Sequence, residues 1–78
     1  MIGLDAVLQL SRERRQLPPP QDRRLIRERA KLTQAEVASA VGVKPPSICR
    51  WEKGERMPTG PRLRAYAALL KLLTDQTT

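Results

Sequence analysis

The feature that most constrains the fold is a pair of short helical segments separated by a glycine. Thr33 is a good N-cap, and Glu36 three residues later completes the capping-box pattern at the start of the first segment. Gly42 ends that segment, because glycine adopts the positive φ that closes a helix without steric cost. Pro45 begins the second segment, since a proline in the first turn lacks only an amide that would be unpaired anyway. The pattern predicts two short helices joined by a tight turn.

The apolar positions of the two segments fit helices that are locked together at one angle. Ala38 is small at the point where the two helices would cross. The other apolar positions that would hold the pair together are Val37, Val43, Ile48 and Trp51. Two short helices joined by a glycine turn are the essence of a helix-turn-helix, which we therefore predict over about 33–53.

Helical patterns also flank this pair. Before it, residues from about Asp22 to Ala30 predict a helix with Leu25 and Ile26 inward and arginines elsewhere. After it, residues from about Pro61 to Thr74 predict a helix whose apolar positions repeat every three or four residues. Those positions are Leu63, Tyr66, Ala67, Leu70 and Leu73. The sequence thus predicts an all-α fold.

The chain divides at a run of prolines. Residues 1–17 form an N-terminal appendage that is predicted to be helical, and residues 18–21 form a proline-rich linker that stops the helix. Residues 22–74 form the helix-turn-helix domain, and 75–78 are predicted to be a frayed tail. Leu4, Val7 and Leu8 give the appendage an apolar face. We favour a fold-back of this face over the core of its own chain, and the alternative is a dimer contact.

Charge and composition indicate which kind of partner the protein binds. The 78 residues carry a net charge of +7, and the pI is near 10.8, which predicts an anionic partner, either nucleic acid or a membrane surface. A role in solubility alone is the alternative interpretation. No stretch resembles a signal peptide or approaches the ~18 apolar residues of a membrane span, so we expect a cytoplasmic protein that is associated with the nucleoid when bound.

The composition argues against catalysis. The chain has no histidine and one cysteine, so we expect neither a metal site nor a cofactor. Paired carboxylates in a pocket and a glycine-rich phosphate loop are not evident in the sequence either. We therefore expect that the protein is not an enzyme and has no catalytic residues.

Three segments resemble the Cro and phage-repressor (XRE) helix-turn-helix family, over about residues 23–73. They are Thr33-Gln34-Ala35-Glu36-Val37-Ala38, Val41-Gly42-Val43 and Ile48-Cys49-Arg50-Trp51-Glu52-Lys53-Gly54. A narrower similarity, to small regulators of actinobacteria and their phages, is carried by Pro18-Pro19-Pro20, Arg24, Ile26-Arg27-Glu28, Arg50-Trp51-Glu52 and Pro58-Thr59-Gly60. The resemblance implies a compact, lambda-repressor-like bundle of four or five helices whose third helix lies in the DNA major groove.

The resemblance also implies structural roles. An arginine of the first domain helix and a glutamate at the end of the recognition helix often form a buried ion pair, and here these are Arg27 and Glu52. The alternative is that both are solvated surface charges. Four further residues, Ala38, Gly42, Ile48 and Trp51, are the structural positions of the motif.

The outward face of the predicted recognition helix supplies the candidates for DNA contact. Arg50 is the strongest candidate for base reading, because its planar fork can pair with O6 and N7 of guanine, and a phosphate contact or a salt bridge is the alternative. The other base-reading candidates are Lys44, Ser47, Pro46 and Cys49. Where the family often has glutamine, this chain has Pro45, so an adenine contact is lost.

Contacts to the phosphates of the DNA backbone are assigned to another set of residues. The phosphate candidates are Thr33, Gln34, Lys53 and Arg56. Arg23 and Arg24 are secondary candidates, and a solvated basic face is the alternative for both.

Three functions remain open at this stage. The leading hypothesis is a transcriptional repressor of phage or mobile-element type that binds double-stranded DNA. Helix-turn-helix proteins usually reach useful affinity by dimerising on paired half-sites, so a homodimer on DNA is one option, and the sequence leaves the oligomeric state open. The second is an antitoxin-like module that binds a protein partner through residues 1–17 and also binds its own operator. The third is a basic protein that binds nucleic acid without sequence preference.

Overall fold

The computed structural model describes residues 3–77, which form five helices and contain no strand. The helices are α1 (Leu4–Arg15), α2 (Pro20–Arg29), α3 (Gln34–Val41), α4 (Pro45–Lys53) and α5 (Gly60–Thr77). The all-α prediction is confirmed. Met1, Ile2 and Thr78, which belong to the predicted appendage and tail, lie outside the described residues, as do the side chains of Leu10, Glu13, Arg14 and Thr77.

The predicted helix ends of the central pair are confirmed. The Thr33 hydroxyl accepts from the Glu36 amide at 3.0 Å, and the Thr33 amide donates to the Glu36 carboxylate at 2.9 Å. Gly42 ends α3 at φ 85°, and Gly54 ends α4 at φ 75°, both in the left-handed region. These ends depend on residues close in the chain, so α3 and α4 have the same bounds in sequence and in structure.

The capping box makes α3 sensitive to acid. The hydrogen bond from the Thr33 amide lowers the pKa of Glu36 below its ordinary value of 4.5. The contribution of ionised Glu36 to the free energy of unfolding is therefore present above pH 4.5 and is lost as the pH falls through the lowered pKa. We expect the urea midpoint of the wild type to fall more steeply on acidification than that of Glu36→Gln. Equal slopes between neutral and acidic pH would contradict this role.

The core lies between α5 and the α3–α4 pair. The buried apolar side chains are Leu17, Val37, Ala38, Ile48, Trp51, Leu63, Tyr66, Ala67, Leu70 and Leu73. All five apolar positions that were predicted along α5 are among them. The rings of Trp51 and Tyr66 lie with centroids 4.9 Å apart and planes inclined at 46°, so α4 and α5 meet through an aromatic contact.

Tyr66 ends in a buried hydroxyl that has no hydrogen-bond partner within residues 3–77. Burial raises the pKa of Tyr66 from 10.0 to about 12, so the neutral form is favoured in the folded protein. The pKa of Tyr66 is higher in the folded protein than in the unfolded chain. Ionisation of Tyr66 therefore leaves the free energy of unfolding unchanged below pH 10 and lowers it as the pH rises towards 12.

Tyr66→Phe is therefore expected to be no less stable than the wild type at neutral pH, because it removes an unpaired polar group and keeps the ring contact. Between pH 10 and about 12 the variant is expected to lose less stability than the wild type. Denaturant midpoints across that range test both statements. A large loss at neutral pH would show that the hydroxyl has a partner.

The inward face of α2 differs from the prediction. Leu25 is 46% exposed, whereas Arg23 is 4% exposed, so the expectation of an inward Leu25 and outward arginines is wrong at these two positions. The helix begins at Pro20 and turns Arg23, Ile26 and Arg27 towards the core, at the spacing of one helical face. The polar groups of the two arginines are hydrogen-bonded there, which makes their burial tolerable.

The two ends of the chain also differ from expectation. Leu4, Val7 and Leu8 are 83%, 51% and 52% exposed, so the predicted fold-back of this face over the core is wrong. Leu17, at the end of the appendage, enters the core instead. Helix α5 continues to Thr77, and the prediction of a frayed tail is wrong for residues 75–77. The apolar face of α1 is visible in the sequence, but the sequence does not show whether the core has space to bury that face.

Candidate nucleic-acid interface

A closed turn sets the angle between α3 and α4. The amides of Gly42 and Val43 both donate to the Ala38 carbonyl at 2.9 Å, so the chain reverses within three residues. Val37, Ala38 and Ile48 are at most 1% exposed, and they belong to one core cluster in which α3 and α4 meet. Because these side chains are almost fully buried, α4 is held in one orientation on α3.

The outward face of α4 carries two of the five candidates for base reading, and the other three lie beside it. Ile48, Trp51 and Glu52 form the buried face. Pro46, Arg50 and Lys53 are exposed and follow one another at the four- and three-residue spacing of the opposite face. We call these three residues the α4 strip. Lys44 is exposed at the N-cap, and Ser47 and Cys49 are half-buried on the two flanks of the strip.

A buried ion pair holds the end of α4 to α2. The Arg27 guanidinium donates to both carboxylate oxygens of Glu52, from Nε at 2.6 Å and from Nη2 at 3.0 Å. The two side chains are only 13% and 3% exposed. The hydrogen bond to Glu52 raises the pKa of Arg27, so the guanidinium stays charged. The structure thus brings together the two residues that the family resemblance paired, although they lie 25 positions apart.

The same carboxylate engages one of the phosphate candidates. Gln34, at the first position of α3, donates from its side-chain amide to Oε1 of Glu52 at 3.1 Å. Gln34 is half-buried, and its amide retains a second N–H. Thr33 is exposed, but its hydroxyl oxygen already accepts from Glu36. Both residues therefore help to build the motif, whatever else they contact.

Arg23 has a structural position that sequence reasoning missed. It donates from Nε to the Pro18 carbonyl at 2.8 Å and from Nη1 to the Trp51 carbonyl at 2.9 Å. Burial lowers the pKa of Arg23. The guanidinium ties the proline linker to the last turn of α4, so the hypothesis that it reaches DNA is wrong. Arg24 is exposed and pairs with Glu28 on its own helix.

A small cleft beside α4 gathers three arginines. Its volume is about 180 Å³, and it lies between α4, the following loop and the start of α5. Its lining residues are Ser47, Arg50, Trp51, Arg56, Met57, Pro58, Thr59 and Arg62. Arg50 and Arg56 were candidates from sequence, whereas Arg62 was not. The sequence signal that could have identified Arg62 is its position, as a basic residue in the first turn of the helix that follows the recognition helix.

Two other kinds of site find no support in the described part of the chain. Residues 3–77 contain no group of three or more His, Cys, Asp or Glu side chains placed to hold a metal ion. No helix among these residues is both long enough and apolar enough to cross a membrane. Cys49 is a free, half-buried cysteine.

The closed turn, the locked second helix and its basic outward strip define a helix-turn-helix protein. The family model described as helix-turn-helix (HTH_3) matches residues 24–75, well over half of the chain. The chain belongs to the Cro and phage-repressor (XRE) family of helix-turn-helix proteins, whose members are DNA-binding transcription regulators. No curated protein and no solved structure matches the chain significantly.

Proposed function

We propose that this protein is a sequence-specific transcriptional repressor that places α4 in the major groove of double-stranded DNA. The observation that carries the proposal is the combination of a fixed helix and an open basic strip. Glu52 is buried in its ion pair with Arg27, while Arg50 and Lys53 on the opposite face are exposed. A helix that is already oriented loses little further freedom on binding, so more of its contact energy appears as affinity.

Within this proposal, Arg50 reads a base. Its guanidinium is exposed on the α4 strip and matches the two acceptors of guanine in the major groove. Pro46 presents an apolar surface suited to a thymine methyl group, and Lys44 lies at the N-cap of the same helix. Ser47 and Cys49 lie on the flanks, where they would contact neighbouring base edges.

Phosphate binding is proposed for Lys53, at the end of the α4 strip, and for residues that surround the strip. Arg56 and Arg62 line the small cleft beside Arg50, and these two side chains would follow one DNA backbone while Arg50 enters the groove. Lys53 contributes from the end of α4. Gln34 and Thr33 would contact the other backbone strand from the start of α3, Gln34 through the amide N–H that Glu52 does not use.

The proposal includes two copies on the DNA. One recognition helix reads only a few base pairs, and helix-turn-helix dimers bind half-sites about 34–36 Å apart. The narrower resemblance of Pro18–Pro20 and Pro58–Gly60 supports an origin in actinobacteria or their phages. A repressor of this kind acts on the chromosome, so we place it in the cytoplasm, associated with the nucleoid.

The first experiment is DNase footprinting on the DNA that flanks the gene for this protein. We expect a discrete protected site with two half-sites, and we expect Arg50→Ala to lose that protection. Uniform weak coverage that moderate salt removes, and that is unchanged in Arg50→Ala, would contradict the proposal. That result would mean that the net charge of +7 alone binds DNA.

A second candidate function is an antitoxin-like module that binds its own operator and a protein partner. The observation that favours it is the exposed apolar face of α1, where Leu4 is 83% exposed. Expression of the gene together with its neighbours, followed by purification, distinguishes the two functions. A second polypeptide that stays bound in stoichiometric amount, and is released by a charged substitution in this face, would favour the antitoxin.

A further inference from the structure

An apolar strip runs along α1, and no other part of residues 3–77 covers it. Leu4, Val7 and Leu8 lie on one face of the helix, and all three are at least half exposed. Arg15 follows Leu8 by seven residues, about two helical turns, so it lies on the same face. Arg15 also lines the large groove described next, so the face of α1 that carries the apolar strip ends at one wall of that groove.

The groove lies between the end of α1, the proline linker, α2 and α5. Its volume of about 1120 Å³ exceeds the range of about 300–1,000 Å³ that is usual for small-molecule pockets. Its apolar lining residues are Leu17, Leu25, Ile26, Ala67, Ala68 and Leu70. Leu25 is 46% exposed there, although it is a large apolar side chain in the middle of a helix. These properties suit the apolar face of a helix better than a small ligand.

The chain's own α1 is held away from covering this groove. Leu17 is buried in the core only two residues after the end of α1. The next residue, Pro18, has its carbonyl bound by the buried guanidinium of Arg23. The direction in which the chain leaves the core is therefore set, and the prolines that follow add stiffness. For α1 to fold onto its own groove, the chain would have to turn back within Gln16 and Leu17, the two residues between the end of α1 and Pro18.

Charge points to the chemistry of the occupant. The groove carries four basic residues and two acidic ones at its edges, namely Arg15, Arg29, Arg64, Lys71, Asp22 and Asp75. The first part of α1, residues 3–11, carries a single charge, that of Asp5. The end of α1 is basic, so it is this first part of the helix, with its one negative charge, that complements an apolar groove with a basic rim. The chain itself supplies both the helix and the groove.

We propose that α1 of a second copy of this chain docks in the groove, while α1 of the first copy docks in the groove of the second. A two-fold arrangement of this kind is self-complementary, and it covers both apolar strips and both grooves at once. The inference deepens the proposed function, since it rests on the dimer included there and names its interface. The dimer is measured without DNA, so a failure of the interface and a failure of DNA reading are separate results.

Sedimentation velocity of the full chain without DNA, over a concentration series, tests the proposal. We expect the wild type to approach twice the 8.8 kDa mass of the chain. Leu8→Glu is expected to weaken dimerisation by about tenfold or more, because it places an unpaired carboxylate in the apolar groove. Ala6→Glu adds the same charge to the opposite face of α1, and it is expected to dimerise like the wild type. Circular dichroism confirms that each variant is folded.

Crosslinking locates the interface. In a Cys49→Ser background, a Leu8→Cys chain is mixed with an Ala68→Cys chain and treated with a bismaleimide. We expect a mixed dimer that is much more abundant than in the control, where Leu8→Cys is mixed with Ala40→Cys on the exposed surface of α3.

Three results would overturn the proposal. The first is a wild-type protein that remains monomeric throughout the concentration series. This result counts against the proposal also where the monomer is bound to a different polypeptide. The second is an equal effect of Leu8→Glu and Ala6→Glu on dimerisation. The third is equal crosslinking of Leu8→Cys to the two partner positions.

Discussion

Arg27→Met is expected to lower the free energy of unfolding by about 3–5 kcal/mol, because it leaves the carboxylate of Glu52 buried without its cation. Glu52 is only 3% exposed, and the remaining hydrogen bond from Gln34 carries no charge. For a domain of this size, each kcal/mol corresponds to about 4–8 °C in the melting temperature. The loss is thus a large part of the ~5–15 kcal/mol that stabilises a typical native protein. Urea titration at neutral pH measures it.

The chain supplies a matched control for this prediction. Arg24→Met removes the same kind of side chain from the same helix, but its pair with Glu28 is exposed, at 68% and 46%. We expect a loss of about 0–1 kcal/mol there. The double variant Arg27→Met/Glu52→Gln is expected to recover much of the loss, because it leaves no buried charge. Equal losses in Arg27→Met and Arg24→Met would show that the buried pair contributes no more to stability than the exposed pair.

Arg50→Ala is expected to weaken binding to the protected duplex by about five- to 150-fold, the equivalent of the ~1–3 kcal/mol that a bidentate arginine–guanine contact contributes to discrimination. Binding to a scrambled duplex should change much less, since only the general attraction to phosphate is reduced there. Fluorescence anisotropy on both duplexes at one salt concentration gives the ratio. Arg50 is exposed and outside the core, so the variant is expected to remain folded.

Two control variants separate the shape of Arg50 from its charge. Arg50→Lys keeps the charge but loses the planar fork, and we expect it to retain the salt dependence of the wild type while losing much of its base preference. Arg12→Ala removes one charge from exposed α1, away from α4, and should lower affinity for both duplexes slightly and equally. If Arg50→Ala behaves like Arg12→Ala, Arg50 does not read a base.

Local signals explain why much of the fold could be predicted. The capping box of Thr33 and Glu36, the left-handed Gly42 and the proline at the start of α4 each act within a few residues. The apolar repeat of α5 is equally local, and all five of its predicted positions are buried. The pairing of Arg27 with Glu52 came from family resemblance, because nothing in the sequence alone links two charges 25 positions apart.

By itself, then, the sequence determined the helices, their ends around the glycine turn and the face of α4 that points outward, since these follow from backbone geometry and helical periodicity. Only the tertiary structure decided that Arg23 lies inside and Leu25 at the surface, that Arg62 joins the cleft beside Arg50, and that α1 leaves its apolar strip uncovered. The physical reason is that each of these features depends on contacts between groups that are distant in the sequence, and Arg23 is the clearest case. A buried guanidinium is tolerable only when distant groups accept its hydrogen bonds, and Arg23 finds one of them 28 residues away, at Trp51.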